Sequence, residues 1–252
     1  MSFVVAADSY DRFMGRYSTV LAPLFADFAG VGAQKSILDV GCGPGALTAA
    51  LVDRLGADAV VAVDPSEPFV KAMRERFPGV EVHLGSAEFL PFSDHSFDAA
   101  VAQLVVHHMA DPVVGIREMA RVTNGGGTVA ACVWDLGGGR SPLGPFWRGV
   151  ARFDPSAGGE SELPGTREGH LGEIFREAGC QVVDDRDLVF EMEHATFEEW
   201  WEPFILGVGP AGRFVAGLDA ESRDAIANLC REELGPGPFT ITCAAWATRA
   251  SV

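Results

Sequence analysis

The sequence predicts an α/β fold: a doubly wound, mostly parallel seven-stranded sheet with helices on both faces and a helical lid. Three observations predict it. Over residues 36–135 short apolar runs alternate with amphipathic stretches. The runs are apolar at nearly every position, the pattern of parallel strands buried on both faces. Two further runs occur near the end, and the segment between them reads as helix.

The first run is Ser36–Val40. Ala46–Leu55 follows, with Leu47, Ala50, Leu51 and Leu55 on one helical face. Ala59–Val63 is the second run. Pro68–Phe77 spaces Phe69, Met73 and Phe77 four apart, a second helix. Val80–Leu84 and Phe97–Val105 are the third and fourth runs. Asp111-Pro112 reads as an N-cap with proline at the first helical position, opening a helix to about Val122. Gly125-Gly126-Gly127 is a turn before the fifth run, Thr128–Trp134. Residues 136–165, rich in Gly, Pro and Ser, read as a long loop with a short helix near Phe146–Phe153. Arg167–Ala178 is a helix closed by Gly179. Gln181–Phe190 and Phe239–Ala247 are the sixth and seventh runs. Thr196–Leu206 and Ala220–Leu234 between them are helical, as are residues 8–30. The organisation expected is one domain over 1–252. Within it lie a helical cap at 8–35, a cofactor-binding core at 36–135 and a lid at 196–236.

The net charge of −16 disfavours a nucleic-acid partner, because phosphate binding needs clustered Lys and Arg. The five cysteines are widely spaced and odd in number, which argues against a disulfide framework or a metal knuckle. No metal is expected. The start of the chain lacks a secretory pattern, and no run of about 18 apolar residues occurs. A cytoplasmic protein without a membrane partner is the expectation; a homodimer stays open.

Chemistry concentrates at the ends of the runs, where ligands bind in open α/β sheets. Asp39-Val40-Gly41-Cys42-Gly43-Pro44-Gly45 joins the first run to its helix. Glycines there permit positive φ and close approach of a ligand, and the N–H groups of the helix start are expected to face it. Asp64 ends the next run, 21 residues beyond Gly43. Its carboxylate can accept both hydroxyls of a ribose. The glycine pattern also fits a loose dinucleotide fingerprint. Asp39 would repel a pyrophosphate and attract a cationic methionyl group, which tilts the reading to S-adenosylmethionine. An NAD(P)-dependent oxidoreductase and a non-catalytic S-adenosylmethionine-binding protein remain the alternatives.

Residues 39–45 resemble the cofactor motif of class I S-adenosylmethionine-dependent methyltransferases, in the quinone-biosynthesis-like (type 11) group. Tyr10–Tyr17, Val61–Asp64, Gly85–Phe92, Phe97–Gln103 and Arg121–Gly127 resemble further stretches of that family in order. The resemblance implies a Rossmann-like sheet and methyl transfer to a small, largely apolar molecule at O or C. It implies that Gly41, Cys42 and Gly43 line the cofactor and that Asp39 holds its ammonium. Asp64 would hold the ribose and Pro65 pack on the adenine. Ser86, Ala87 and Glu88 would flank the adenine edge, although the family commonly has an aspartate where Ser86 stands. Gln103 would contact the methionyl end. Tyr10 and Arg16 would close over the cofactor, Arg16 pairing with its carboxylate.

His107 and His108 follow the fourth run and are candidate general bases, needed only if the nucleophile carries a proton of high pKa. Trp134, Trp200, Trp201 and Phe204 are candidates for the wall of an apolar acceptor pocket, or else helix core. Arg140, Arg148 and Arg152 are the local exceptions to the acidic balance.

Overall fold

The computed structural model describes residues 7–34 and 36–252. Residues 1–6, on which the leader-peptide expectation falls, and Lys35 lie outside the described residues.

The chain enters through α1 (Ala7–Tyr10), a widened helical turn at Asp11–Gly15, and α2 (Arg16–Phe28). Then β1 (Ile37–Val40), α3 (Ala46–Leu55), β2 (Val60–Asp64), α4 (Glu67–Arg76), β3 (Glu81–Leu84) and β4 (Phe97–Gln103) alternate. After β4 come α5 (Pro112–Val122), β5 (Thr123–Trp134), α6 (Gly144–Phe153), α7 (His170–Glu177) and β6 (Gln181–His194). The lid follows as α8 (Phe197–Trp201), α9 (Gly209–Ala216) and α10 (Ala220–Leu234), and β7 (Phe239–Ser251) closes the sheet.

The strands form one seven-stranded sheet in the order β3-β2-β1-β4-β5-β7-β6. β1 to β5 are parallel; β7 runs antiparallel to β5 and β6. The expected Rossmann-like, mostly parallel sheet is therefore present. Its two faces are read directly from strand alternation. Ile37, Ala99, Val101, Ala130 and Cys132 join one core with α2 and α3. Leu38, Ala100, Ala102, Val129 and Ala131 join the other with α5 and α7. A one-residue slip of any of these strands would exchange the two sets.

The order reverses between β1 and β4, so the crevice at their C-terminal ends is the place for a ligand. There are three local differences from the sequence reading, of which the end of β4 shapes that crevice. β4 stops at Gln103, not Val105, because Leu104 takes a left-handed φ of 62° and its N–H bonds the Cys132 carbonyl. A short turn at Val106–His108 follows. The glycine triplet is a bulge inside β5: Thr123 pairs with Phe97 and Thr128 with Ala99. α9 was not legible, since Gly207, Gly209, Gly212 and Gly217 mask its period.

The five cysteines are buried as thiols. Among the described residues no helix is long and apolar enough to cross a membrane.

Candidate active site

The crevice holds a cavity of about 430 Å³. That lies within the range of small-molecule sites. Gly41 and Gly43 after β1, Asp64 and Pro65 after β2, Ser86, Ala87 and Glu88 after β3, and Gln103 at the end of β4 all line it, with Tyr10 across its mouth. Asp39 and Cys42 line a small adjoining cavity that shares Tyr10, Gly41, Gly43 and Gln103.

The glycine turn is held from inside the protein. Gly41 N–H and Cys42 N–H both donate to the Val63 carbonyl, at 2.7 and 3.1 Å. Gly45 N–H donates to the Cys42 carbonyl at 3.0 Å. Gly43 N–H donates to Asp64 Oδ2 at 2.8 Å. These four amides are spent on β2 and on the turn itself, whereas Ala46 and Leu47, which open α3, line the adjoining cavity. A pyrophosphate here would face two buried carboxylates, Asp39 and Asp64, which argues against a dinucleotide. Gly41 (φ 70°) is required sterically, because a Cβ there would meet Val105 at 2.5 Å. Gly43 (φ 55°) instead faces open space, which is what a ligand-contacting glycine needs.

Asp64 is held by two backbone donors, Gly43 N–H on Oδ2 and Ser66 N–H on Oδ1, each at 2.8 Å. Each oxygen keeps a second lone pair for a ribose hydroxyl. Burial outweighs those bonds and pushes its carboxyl up to about 6. Asp39 is almost fully buried, and its Oδ2 accepts the Thr48 hydroxyl at 2.6 Å. Burial pushes it further, to about 7, against the Thr48 bond and with the repulsion of Asp64 adding. Gln103 Nε2 donates to the Ser18 carbonyl at 3.0 Å, while its buried Oε1 has no hydrogen-bond partner. A buried orphan acceptor beside a buried carboxylate that only Thr48 supports is costly unless a ligand completes them. An ammonium with three donors fits that pair.

Tyr10 is half-buried and packs against Phe69, ring edge to face at 5.5 Å, and the desolvation raises its phenol to about 12. Glu88 Oε1 accepts the Ala110 N–H at 2.7 Å, so it also fastens the loop after β4 across the cavity. Arg16 is the exception among the expected cofactor residues. It lines neither of these cavities, and its guanidinium donates to the Glu199 carbonyl at 3.3 Å and lies over the Tyr17 ring. The lid, not a ligand carboxylate, holds it.

A second cavity of about 40 Å³ adjoins the first and shares Tyr10, Leu104 and His108 with it. Its walls include Phe13, Met14, Trp134, Leu143 and Val208. His107 lines this cavity alone, whereas His108 lines both. The rings stand 3.9 Å apart, and burial holds His107 well below the ordinary range and His108 at about 4. Both are neutral at neutral pH.

Trp200 and Phe204 are not pocket walls; they are buried core, with Phe204 stacked on Phe146 at 4.7 Å and edge-on to Phe13 at 5.0 Å. Trp201 stacks on Phe204 in the same cluster. These rings tie the lid to the N-terminal helices, and the lid reaches the cavity through Val208–Ala211. The three arginines offer no site for an acidic ligand: Arg140 pairs with Asp135 and Asp187, Arg148 with Glu233 and Arg152 with Glu232. Ser18, Phe69, Leu104 and Glu160 were missed in the sequence. None has a spacing to a motif that marks it.

Residues 38–131 match the family described as "Methyltransferase domain". This segment is similar to that family over residues 38–131. An uncharacterized methyltransferase of Mycobacterium tuberculosis is 40% identical over 136 residues, 54% of this chain and 52% of that protein. Demethylmenaquinone methyltransferase of Paenarthrobacter aurescens is 31% identical over 127 residues, covering 50% of this chain and 47% of that one. The chain thus spans about half the length of the curated relatives it matches. A candidate methyltransferase of Bacillus halodurans superposes with a TM-score of 0.58 at 18% identity, over 90% of this chain and 96% of that one. That likeness speaks for the fold alone. The matched segment contains the glycine turn, both aspartates, Gln103 and the two histidines.

Proposed function

We propose that the protein binds S-adenosylmethionine in the larger cavity and transfers its methyl group to a small, largely apolar acceptor, at O or C. The carrying observation is the adjacency of a cofactor-sized crevice and an apolar cavity that share Tyr10, Leu104 and His108. Asp39 and Gln103 would hold the ammonium, Asp64 the ribose, and Pro65, Ser86 and Ala87 the adenine. Glu88 flanks that edge while pinning the loop after β4. S-adenosylmethionine supplies a methyl group on a cationic sulfonium, so the reaction asks the protein mainly for alignment and exclusion of water.

Tyr10, Phe13 and Met14 supply that exclusion from the N-terminal side, and Val208–Ala211 from the lid. His108 is the better placed of the two histidines to take a proton from a hydroxyl acceptor, because it borders both cavities. Burial holds it near 4, so its ring is neutral and open to a proton but only weakly basic, and the developing positive charge depends on the acceptor's departing proton being shared as the methyl arrives.

The test uses methyl-labelled S-adenosylmethionine and fractionated small-molecule extract. Label is expected in an organic-extractable product, with an equal amount of unlabelled S-adenosylhomocysteine formed. His108→Ala should lower turnover about 10²-fold or more for a hydroxyl acceptor. Binding of the cofactor with label in no fraction would leave a binding protein and contradict this reading.

A further inference from the structure

The larger cavity and the two histidines do not account for Glu160. It lies in the Gly- and Pro-rich loop between α6 and α7, is 5% exposed, and lines the smaller, otherwise apolar cavity. Trp147 Nε1–H donates to its Oε2 at 3.1 Å. His107 lines the same cavity, is 7% exposed, and its Nδ1 makes no hydrogen bond. A buried carboxylate held by one indole donor and a buried imidazole nitrogen with no hydrogen bond, both lining one small space, are expensive unless a ligand's polar group completes them. The space of about 40 Å³ suits one such group.

We infer that Glu160 and His107 recognise a hydrogen-bond donor, a hydroxyl or an amine, on the otherwise apolar methyl acceptor. This rests on the neighbouring crevice being the cofactor's. Glu160 offers a carboxylate oxygen and neutral His107 a ring nitrogen; an amine has hydrogens for both acceptors, while a hydroxyl's single hydrogen satisfies one of them and its oxygen can accept in turn. Burial raises Glu160 to about 7, which is the cost a bound donor offsets.

The experiment loads the full chain with S-adenosylhomocysteine and titrates phenol, aniline and toluene, three probes of one size. ¹⁵N-labelled tryptophan reports through the Trp147 indole N–H, assigned with Trp147→Phe. Phenol and aniline are expected to move that resonance and to bind at least about fivefold tighter than toluene. In Glu160→Leu the order should invert. Glu160→Gln, the conservative variant, should keep part of the phenol preference, about twofold. S-adenosylhomocysteine binding checks that each variant is folded. Toluene binding as tightly as phenol to the unaltered protein, a preference surviving Glu160→Leu, or no probe binding the loaded protein would each overturn the inference. If Glu160→Leu does not fold, an undiminished preference in Glu160→Gln overturns it equally. Failure of S-adenosylhomocysteine itself to bind would instead overturn the reading of the larger cavity.

Discussion

Asp39→Asn is expected to make the protein more stable and, at the same time, nearly unable to bind S-adenosylmethionine. Asp39 is buried with one hydroxyl partner, and its value of about 7 records the cost of holding a charge there. The folded state keeps the proton where the unfolded chain, at an ordinary value near 3.9, has released it. The stability tied to that proton is fully present below about pH 4 and is lost as pH rises through 7. Asparagine carries no charge to desolvate, and its carbonyl still accepts the Thr48 hydroxyl. The variant should therefore gain about 1–3 kcal/mol in urea unfolding at pH 8, with the gain vanishing near pH 4. Cofactor affinity should fall about 100-fold, the worth of a buried charge-assisted bond to an ammonium. A variant that binds as well as the parent would remove Asp39 from the site. One that gains nothing at pH 8 would show that the carboxylate is not under strain.

Asp64→Ala should cost more than the ribose bonds alone. The Asp64 carboxylate also accepts Gly43 N–H and Ser66 N–H, so the substitution orphans two amides and loosens the turn that shapes the cavity. Affinity for S-adenosylhomocysteine should drop about 30- to 1000-fold, or about 2–4 kcal/mol. Asp64→Asn, whose single carbonyl oxygen replaces one of the two acceptors, should fall between this variant and the parent. Isothermal titration of the three proteins decides the order, and equal affinities would refute the ribose role.

The sheet was legible because burial on both faces leaves an unmistakable mark on short strands such as Ile37–Val40 and Val60–Asp64. The site residues that end those strands were legible with them. What the chain does after β4 was not. Leu104 adopts a left-handed conformation that its side chain does not advertise, and this sends the chain into the turn that brings His107 and His108 to the cavities. The internal bonding of the glycine turn was not legible: its amides are committed to Val63, Cys42 and Asp64, a backbone arrangement that no side-chain pattern encodes. Arg16 shows the same limit. Long-range packing against Glu199, far along the chain, decides where its guanidinium goes. Glu160 is one acidic residue among glycines and prolines, and only the fold of the loop between α6 and α7 buries it.

The most direct test is calorimetric titration of the protein with S-adenosylmethionine at pH 6 and pH 8.5, each in two buffers of different ionisation enthalpy. Asp39 at about 7 and Asp64 at about 6 both hold protons in the free protein at the lower pH. An ammonium and ribose hydroxyls favour the charged forms, so binding must expel protons there and affinity must rise with pH. The account predicts micromolar binding with net release of about one proton at pH 6 and none at pH 8.5. Absence of heat at both pH values, or binding that takes up protons at pH 6, would contradict it.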